Sequence, residues 1–403
     1  MDKRSGRAIA LAAAMQGVGG GLGWSLVPAL MPEMAKDLGV TKGMAGVIWG
    51  AASLGIALAA PLGGAAVDRF GPRRVAGAAM AFGAVACAAR VLAVGPWTLA
   101  LTMLLFGAHV GFVAPAVPKA LAGEVELSRL GRANGLALLA YTLGTALTML
   151  VARTVLSPAL GGWRPVMLVA AGLMAVVAGV WTLGTRDTLP ATRHASLADV
   201  FRLARHGELR KIAMMHFLIF GGYIALLGTL PHALTEAGMS PSRVGLAICA
   251  WLVVAGFANV LGPTISERIG LRRPVFIGGA LVCGGALLLL ALVGAKHGVW
   301  FLPIAAAGGG CIAPLLLTAP LELDGIGPQK AGGALGLLML VGQAGGALLP
   351  VVTGAIAQPL GFSWALGLLA VVHLGVLVPA LALRETGRRA GATSVPTSDA
   401  LTA

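Results

Sequence analysis

The clearest shortage in this sequence is charge. Asp, Glu, Lys and Arg make up 11% of its 403 residues, whereas 58% of the residues are hydrophobic. An ordinary soluble domain carries about 25% charged and about 45–50% apolar residues. A water-soluble enzyme of this length would need a charged shell that these residues cannot supply. The composition therefore excludes a soluble protein and predicts a polytopic membrane protein.

Cysteine is also scarce, and enzyme signatures are missing. The four cysteines all lie inside apolar runs, with no metal-type spacing and no paired loop positions. We therefore expect small buried hydrophobic side chains, with no redox role and no bound metal. The glycine-rich run at 17–21 lies within an apolar segment and does not follow a strand, so it does not indicate a dinucleotide site. We predict a protein that is not an enzyme and that holds no cofactor.

Long apolar runs are plentiful. A helix needs roughly 20 apolar residues to cross the hydrocarbon core, and a β-barrel would show short alternating strands instead. The sequence predicts an all-α polytopic membrane protein with twelve transmembrane helices, at about 8–32, 43–66, 75–94, 98–119, 133–155, 164–184, 211–233, 242–263, 274–294, 299–320, 331–356 and 363–383.

The net charge of +14 resembles that of a nucleic-acid-binding protein at first sight. The basic residues, however, concentrate on the seven segments that one side of a twelve-helix protein would present. By the positive-inside rule this distribution places both termini in the cytoplasm, in an inner or plasma membrane. The basic excess is then a topology signal, and we expect no nucleic-acid partner.

An internal repeat relates the two halves of the chain at an offset of 199 residues. It predicts two six-helix halves of the same topology, related by a pseudo-twofold axis along the membrane normal. We expect an N-terminal bundle over 1–185, a cytoplasmic central loop over 186–210, a C-terminal bundle over 211–385 and a disordered cytoplasmic tail over 386–403. The matching pairs include Gly23 with Gly222, Pro32 with Pro231, Asp37 with Glu236, Gly39 with Gly238 and Trp24 with Tyr223.

Segment 64–74, which reads GAAVDRFGPRR, resembles the loop 2–3 signature of the major facilitator superfamily. Segment 267–273, ERIGLRR, repeats the pattern in the second half. It has Glu267 in place of the aspartate, and Pro263 stands where Gly64 has its counterpart. The resemblance covers about residues 8–385. It implies a secondary transporter that works by rocker-switch alternating access, with the two loops as cytoplasmic latches.

The resemblance also implies gating roles for particular residues. Gly64 allows close helix approach, Asp68 can accept hydrogen bonds from the start of helix eleven, and the arginines can pair with acids or lipid headgroups. The alternative is that the arginines only determine topology. The predicted gating set comprises Gly64, Asp68, Arg69, Gly71, Arg73, Arg74, Glu267, Arg268, Gly270, Arg272 and Arg273.

The acids are absent from the middle of the membrane. All fifteen Asp and Glu fall in loops or at helix ends, so no carboxylate is placed for proton coupling. Arg90 and Arg153 are candidates for attracting an anion, or they snorkel to the outer surface. His109 is a candidate proton site or an interhelical hydrogen-bonded histidine. The predicted substrate-binding set comprises Trp24, Arg90, His109, Tyr141, Arg153, Tyr223 and Gln343.

These residues favour a small anion as the transported solute. One alternative is efflux of hydrophobic drug-like compounds, although 135–154 contains no proline and so lacks the Gly-Pro motif of drug/proton antiporters. An alternative of another class is a non-transporting sensor or assembly subunit with the same fold. The expected partners are a small-molecule substrate, the lipid bilayer and a proton as candidate coupling ion, and we expect a monomer.

Overall fold

The computed structural model describes residues 3–125, 127–185, 203–323, 326 and 331–386. In this part of the chain there are twelve helices long and apolar enough to cross a membrane, and there is no strand. The predicted all-α fold with twelve spans is confirmed. The helices are α1 Arg4–Leu38, α2 Lys42–Val67, α3 Pro72–Leu92, α4 Pro96–Glu124, α5 Ala133–Leu160, α6 Trp163–Gly184, α7 Gly207–Glu236, α8 Pro241–Ile269, α9 Arg273–Val293, α10 Gly298–Thr318, α11 Ala334–Leu360 and α12 Phe362–Ala382.

Glycines at matching positions end the helices in both halves. Gly39 after α1 and Gly238 after α7 have positive φ angles of 64° and 80°. Gly71 is the residue after the last turn of the α2 helix, and Gly270 is the residue after α8. Their φ angles are 83° and 71°. Residues with a Cβ rarely adopt this conformation, so glycine fixes where each helix stops. Each pair is separated by the 199-residue offset of the sequence repeat.

Successive helices run in opposite directions, which gives the molecule two faces. On the terminal face, the start of α1 meets the end of α4, where Arg4 lies 3.8 Å from the Glu124 carboxylate. The start of α7 meets the end of α12 there, where Lys211 donates to the Ala382 carbonyl at 2.7 Å. On the opposite face, the end of α1 meets the start of α6 through the Asp37–Arg164 ion pair.

Small residues let the helices of each half approach closely. In the first half, a Cβ on Gly63 of α2 would lie 2.6 Å from the Gly111 carbonyl oxygen of α4. In the second half, a Cβ on Gly308 of α10 would lie 2.6 Å from the Gly279 carbonyl oxygen of α9. Close packing of this kind holds membrane helices together where lipid removes the hydrophobic driving force. Glycine therefore allows close helix packing in both halves.

The four cysteines are free; Cys87 and Cys283 are buried, and the other two are half-buried. Helix α7 begins at Gly207, where the His206 ring accepts a hydrogen bond from the Leu209 amide at 3.4 Å. Most of the predicted central loop and nearly all of the predicted tail lie outside the described residues.

Candidate functional site

At the opposite face the two halves are in backbone contact. Helix α2 of the first half crosses α11 of the second, and glycines form the crossing. A Cβ on Gly46 would collide with the Pro350 carbonyl oxygen, and a Cβ on Gly50 would collide with that of Ala347. A larger side chain at either position would force the helices apart, so this closure depends on glycine.

Two further contacts seal the same face. A Cβ on Gly245 of α8 would lie 2.9 Å from the Met149 carbonyl oxygen of α5. The Trp49 indole of α2 donates to the Ile224 carbonyl of α7 at 2.5 Å. In α1, all ten residues at positions 23–32 are buried, so this stretch is enclosed on every side.

Ionic contacts join the halves at this face. The Lys42 ammonium of α2 lies 2.8 Å from the Glu236 carboxylate of α7. The Arg153 guanidinium of α5 donates to the Thr235 hydroxyl of α7 at 2.6 Å and lies 3.8 Å from the Glu33 carboxylate of α1. We call these five residues the opposite-face latch. Partly exposed ion pairs contribute only about 0–1 kcal/mol each, so these contacts can break at small cost.

Toward the terminal face the halves separate. A Cβ on Gly64 of α2 or on Gly336 of α11 would meet no atom within 4 Å, although the same two helices touch at the opposite face. The π-helical segment of α1, Met15–Leu22, has only Met15, Gly19 and Gly21 buried. The structure is therefore closed at the opposite face and parted at the terminal face.

The chain has two tyrosines, one in each half. Tyr141 of α5 and Tyr223 of α7 are close enough to interact electrostatically. The Tyr223 ring stacks on Trp251 of α8 with centroids 5.3 Å apart. Thr145 lies one turn further along α5 from Tyr141, and its hydroxyl is buried without a hydrogen-bond partner among the described residues. We call the region around these four residues the central gap.

A neutral amide lies close to the central gap. A Cβ on Gly20 of α1 would lie 2.7 Å from the Tyr141 ring and 3.2 Å from the Gln16 Oε1 atom, so Gln16 adjoins the gap. Elsewhere, on α11, the Oε1 atom of Gln343 is buried and has no hydrogen-bond partner among the described residues. Hydroxyls, the Gln16 amide and an indole ring therefore lie around the central gap.

Trp24 belongs to the closed region instead of the gap. Its ring lies 4.9 Å from the Trp49 ring, centroid to centroid, and the residue is buried. Its Nε1 atom is buried without a hydrogen-bond partner among the described residues. Trp24 and Tyr223, which match in the sequence repeat, thus pack against different tryptophans in this conformation.

Arg90 is fully buried inside the first half. Its guanidinium donates to the Gly23 carbonyl at 3.0 Å, lies 3.4 Å from the Met103 sulfur and covers the Phe106 ring at 4.3 Å from the centroid. No carboxylate of the described residues forms an ion pair with it. Neutral acceptors and a ring face stabilise this charge without cancelling it.

Helix α1 separates Arg90 from the central gap. Gly21 of α1 faces α5, where a Cβ would lie 2.6 Å from the Tyr141 carbonyl oxygen. Gly23 faces the other way, where a Cβ would lie 2.7 Å from the Phe106 ring. Residues two apart point to opposite sides of a helix. The guanidinium therefore lies behind α1, about one helix diameter, ~10 Å, from the gap.

His109 is also enclosed within the first half. Its Nδ1 atom lies 2.9 Å from the Ala79 carbonyl oxygen, and its ring meets Phe106 edge-on at 5.1 Å. A Cβ on Gly83 would lie 2.5 Å from the His109 ring, so α3 packs directly against the imidazole. Of the seven predicted substrate-binding residues, Tyr141 and Tyr223 lie at the gap, and Trp24 lies in the closed region. Arg90 and His109 lie behind α1, Arg153 belongs to the latch, and Gln343 has a buried Oε1 atom on α11. Their roles stay predictions.

The predicted gating residues of the first half surround the α2–α3 connection. The Arg73 guanidinium donates to the Thr182 carbonyl of α6 at 2.6 Å, and the Trp181 indole donates to the Arg73 carbonyl at 3.2 Å. Arg69 lies over the Phe70 ring, and Arg74 is exposed. The side chain of Asp68 lies outside the part of the chain that the structure describes.

The predicted gating residues of the second half make contacts within that half. The Arg272 guanidinium holds Glu322 through two hydrogen bonds of 2.7 and 3.2 Å. This pairing raises the pKa of Arg272 above its usual value. The backbone amides of Arg272 and Arg273 donate to the Glu385 carboxylate, at 2.6 and 3.2 Å. Glu267 and Arg268 lie in the last turn of α8, which ends at Ile269 before Gly270.

Sequence reasoning missed the latch at the opposite face. It placed gating only on the basic loops and considered Arg153 as a substrate ligand or a snorkelling side chain. One signal was available, because Glu33 and Glu236 stand at the ends of α1 and α7, where Lys42 and Arg153 can reach them. The pairing joins residues far apart in sequence, so the sequence alone does not reveal it.

Comparisons with known proteins agree with this architecture. The family model of the Major Facilitator Superfamily matches residues 13–324 and 212–399. The chain is 30% identical over 391 residues to a chloramphenicol resistance protein of Streptomyces lividans, with 91% of this chain and 95% of that protein covered. It is 24% identical over 369 residues to a nitrite extrusion protein of Bacillus subtilis, with 89% of each chain covered.

A solved structure has the same fold. The bacterial homologue of the human lysosomal transporter Spinster, in an inward-facing and occupied conformation, superposes with a TM-score of 0.78 at 16% identity. The match covers 95% of this chain and 96% of that one. The twelve-helix fold, the family match and the full-length relatives lead to one conclusion: the chain belongs to the Major Facilitator Superfamily and is an integral membrane transporter.

Proposed function

We propose that this transporter carries a small anion through the central gap by alternating access. The observation that carries this proposal is the buried Arg90 guanidinium, which no carboxylate of the described residues neutralises. An uncompensated positive charge behind α1 makes the neighbouring gap favourable for a negative solute. The gap itself supplies neutral hydrogen-bond donors, including the hydroxyls of Tyr141 and Tyr223.

The electrostatic effect of Arg90 is large enough to matter. Two unit charges ~10 Å apart interact by about 1.7 kcal/mol at an effective dielectric constant of ~20. That energy corresponds to more than tenfold in affinity. Hydrogen bonds from hydroxyl groups to a charged solute contribute about 1.5–3 kcal/mol each. The arrangement thus favours an anion without a direct ion pair.

The relatives support this substrate class. Besides the nitrite extrusion protein, a probable nitrate/nitrite transporter of Mycobacterium tuberculosis is 26% identical over 374 residues.

Uptake measurements test the proposed substrate class. Purified protein in proteoliposomes is tested for uptake of nitrite, nitrate and chloramphenicol. We expect saturable uptake of at least one anion. Uptake of chloramphenicol alone would overturn the anion proposal.

The transport cycle follows from the two faces. We propose that the terminal face is cytoplasmic and that the membrane is an inner or plasma membrane, because the basic residues concentrate on this face. The structure then corresponds to the state open to the cytoplasm. In the other state the opposite-face latch breaks and the predicted gating residues around Asp68 and Glu267 close the terminal face. We further propose that the bundles 1–185 and 211–385 rock as units within a monomer.

The substitution Asp68→Asn tests the terminal-face latch. Removing the charge weakens a hydrogen bond to a helix start by about 1 kcal/mol, so we expect anion flux in proteoliposomes to fall about fivefold. Expression and anion binding should change little. Asp399→Asn, in the predicted tail, serves as the matched control. Unchanged flux in Asp68→Asn would refute the latch role.

A second candidate function is efflux of hydrophobic compounds. The stacked rings of Tyr223 and Trp251 at the gap favour it, and so does the chloramphenicol resistance protein at 30% identity. Aromatic rings bind flat apolar solutes through stacking contacts. The two candidates need different parts of the same side chain, because the anion needs the Tyr223 hydroxyl and the apolar compound needs the ring.

The substitution Tyr223→Phe separates the two candidates. It keeps the ring stacked on Trp251 and removes the hydroxyl. We expect nitrite flux to fall about tenfold, since a hydrogen bond to a charged solute is lost. Chloramphenicol flux, if present, should stay unchanged. A variant with unchanged nitrite flux would exclude Tyr223 from the anion site.

A further inference from the structure

A polar cleft adjoins the opposite-face latch. It lies between the halves and is partly open to solvent. The residues that line it include Lys42 and Trp49 of α2, Thr229 and His232 of α7, and Phe362 of α12. The cleft lies where α2 and α11 cross, so separation of the halves at this face would change its shape.

His232 occupies an unusual position in this cleft. Its ring lies 5.3 Å from the Phe362 ring, and the Lys42 ammonium lies 4.7 Å from the centre of the same Phe362 ring. The Nδ1 atom of His232 is buried and has no hydrogen-bond partner among the described residues. The imidazole is thus packed against the latch with one nitrogen unused.

The charges around His232 balance when the imidazole is neutral. It interacts electrostatically with Lys42 of α2, Arg153 of α5 and Glu236 of α7. Glu33 of α1 reaches the cluster through its contact with Arg153. The lining residues from α11 and α12, which include Phe362, are not ionisable. Two cations and two anions therefore hold the closed latch together.

We propose that His232 is a proton-binding residue of the latch and that its protonation opens the opposite face. A protonated imidazole adds a third positive charge beside Lys42 and Arg153, which it repels. It also offers Glu236, four residues further along α7, a cation on the same helix. Glu236 can then release Lys42, and α2 is no longer tied to α7.

This assignment deepens the proposed function, because it names a proton as the coupling ion and gives the site where the proton acts. Histidine is the side chain that changes charge between about pH 5 and pH 8, the range over which the two sides of many membranes differ. Acidification on the opposite face would favour the state open to that face. The deprotonated residue would let the latch close again.

Opening of the cleft can be measured without any substrate. Ala45, which lines the cleft on α2, is replaced with cysteine, and the rate of maleimide labelling is measured at pH 5.5 and pH 7.5 on purified protein. The parent chain without Ala45→Cys gives the labelling background of the native cysteines. Labelling rates are normalised to a free thiol at each pH. We expect the corrected rate at pH 5.5 to exceed that at pH 7.5 about fivefold.

Two variants of His232 and one control variant show whether the pH dependence of labelling comes from His232. His232→Gln should label slowly at both pH values, and His232→Lys, with a fixed positive charge, should label fast at both. His297→Gln, at an exposed histidine in the α9–α10 connection, should keep the pH dependence of the Ala45→Cys protein. Size-exclusion chromatography confirms that each variant is folded.

The proposal is overturned if labelling of the Ala45→Cys protein does not depend on pH, or if adding His232→Gln to that protein leaves the dependence in place. Because labelling needs no transported solute, the result does not depend on which substrate is carried. If anion uptake is not observed, labelling can still depend on pH. If labelling does not depend on pH, anion uptake can still be observed.

Discussion

Replacing Gly46 with valine is expected to lower transport about 100-fold while leaving the protein folded. Gly46 lies at the crossing of α2 and α11, where a Cβ would collide with the Pro350 carbonyl oxygen. Overpacking of this kind costs up to about 3 kcal/mol, which is about 100-fold in an equilibrium. The cost applies only to the state closed at the opposite face, because the two helices separate in the other state. Transport needs both states, so flux falls.

Cysteine labelling distinguishes this effect from misfolding. Thr229→Cys, on the α7 side of the cleft, reports on closure of the opposite face. We expect it to label much faster when combined with Gly46→Val. Gly43→Val is the matched control one turn away, because a Cβ there makes only ordinary contacts, the nearest at 3.9 Å. If Gly46→Val transports as well as Gly43→Val, the crossing is not required for closure.

Replacing Arg90 with methionine is expected to lower anion transport more than tenfold without destabilising the protein. The loss of transport follows from removing the positive charge behind α1, worth about 1.7 kcal/mol at ~10 Å and an effective dielectric constant of ~20. The effect on stability follows from the surroundings of Arg90, which are sulfur atoms, a carbonyl and the Phe106 ring. A methionine side chain suits these neighbours.

Buried charges are costly, and their replacement by apolar groups is often neutral or stabilising. We therefore expect the melting temperature of Arg90→Met to equal or exceed that of the parent. The measurements are nitrite flux in proteoliposomes and thermal unfolding in detergent. Arg243→Met, an exposed arginine at the start of α8, removes the same charge where water screens it, and it should leave flux unchanged. Full anion flux in Arg90→Met would exclude the electrostatic role.

Much of the fold could be predicted from the sequence, because local physics decides it. A run of about 20 apolar residues has to form a helix in a bilayer, since each backbone polar group needs a partner within the segment. Gly39 and Gly238 mark the same helix end in both halves, and the structure gives both a positive φ angle. The family resemblance of segment 64–74 pointed to the Major Facilitator Superfamily, which the comparisons confirm.

The candidate site could be predicted only in part. The sequence placed Tyr141 and Tyr223 in the predicted substrate-binding set, and in the structure both lie at the central gap. It also grouped Arg90, His109 and Arg153 with them, and the structure distributes these three to other places. Helix number and depth do not fix which way a side chain points or which neighbour it meets.

The membrane class, the twelve helices, the repeat and the family could be read from the sequence, because each of these depends on composition or on spacing along the chain. The folded arrangement was needed to learn that Arg153 joins the halves through Thr235, that Arg90 lies behind α1 and that His232 borders the latch. These contacts join residues distant in sequence, and the contacts between the halves must also form and break during transport. Their partners depend on how two rigid bundles meet, which no local pattern of residues records.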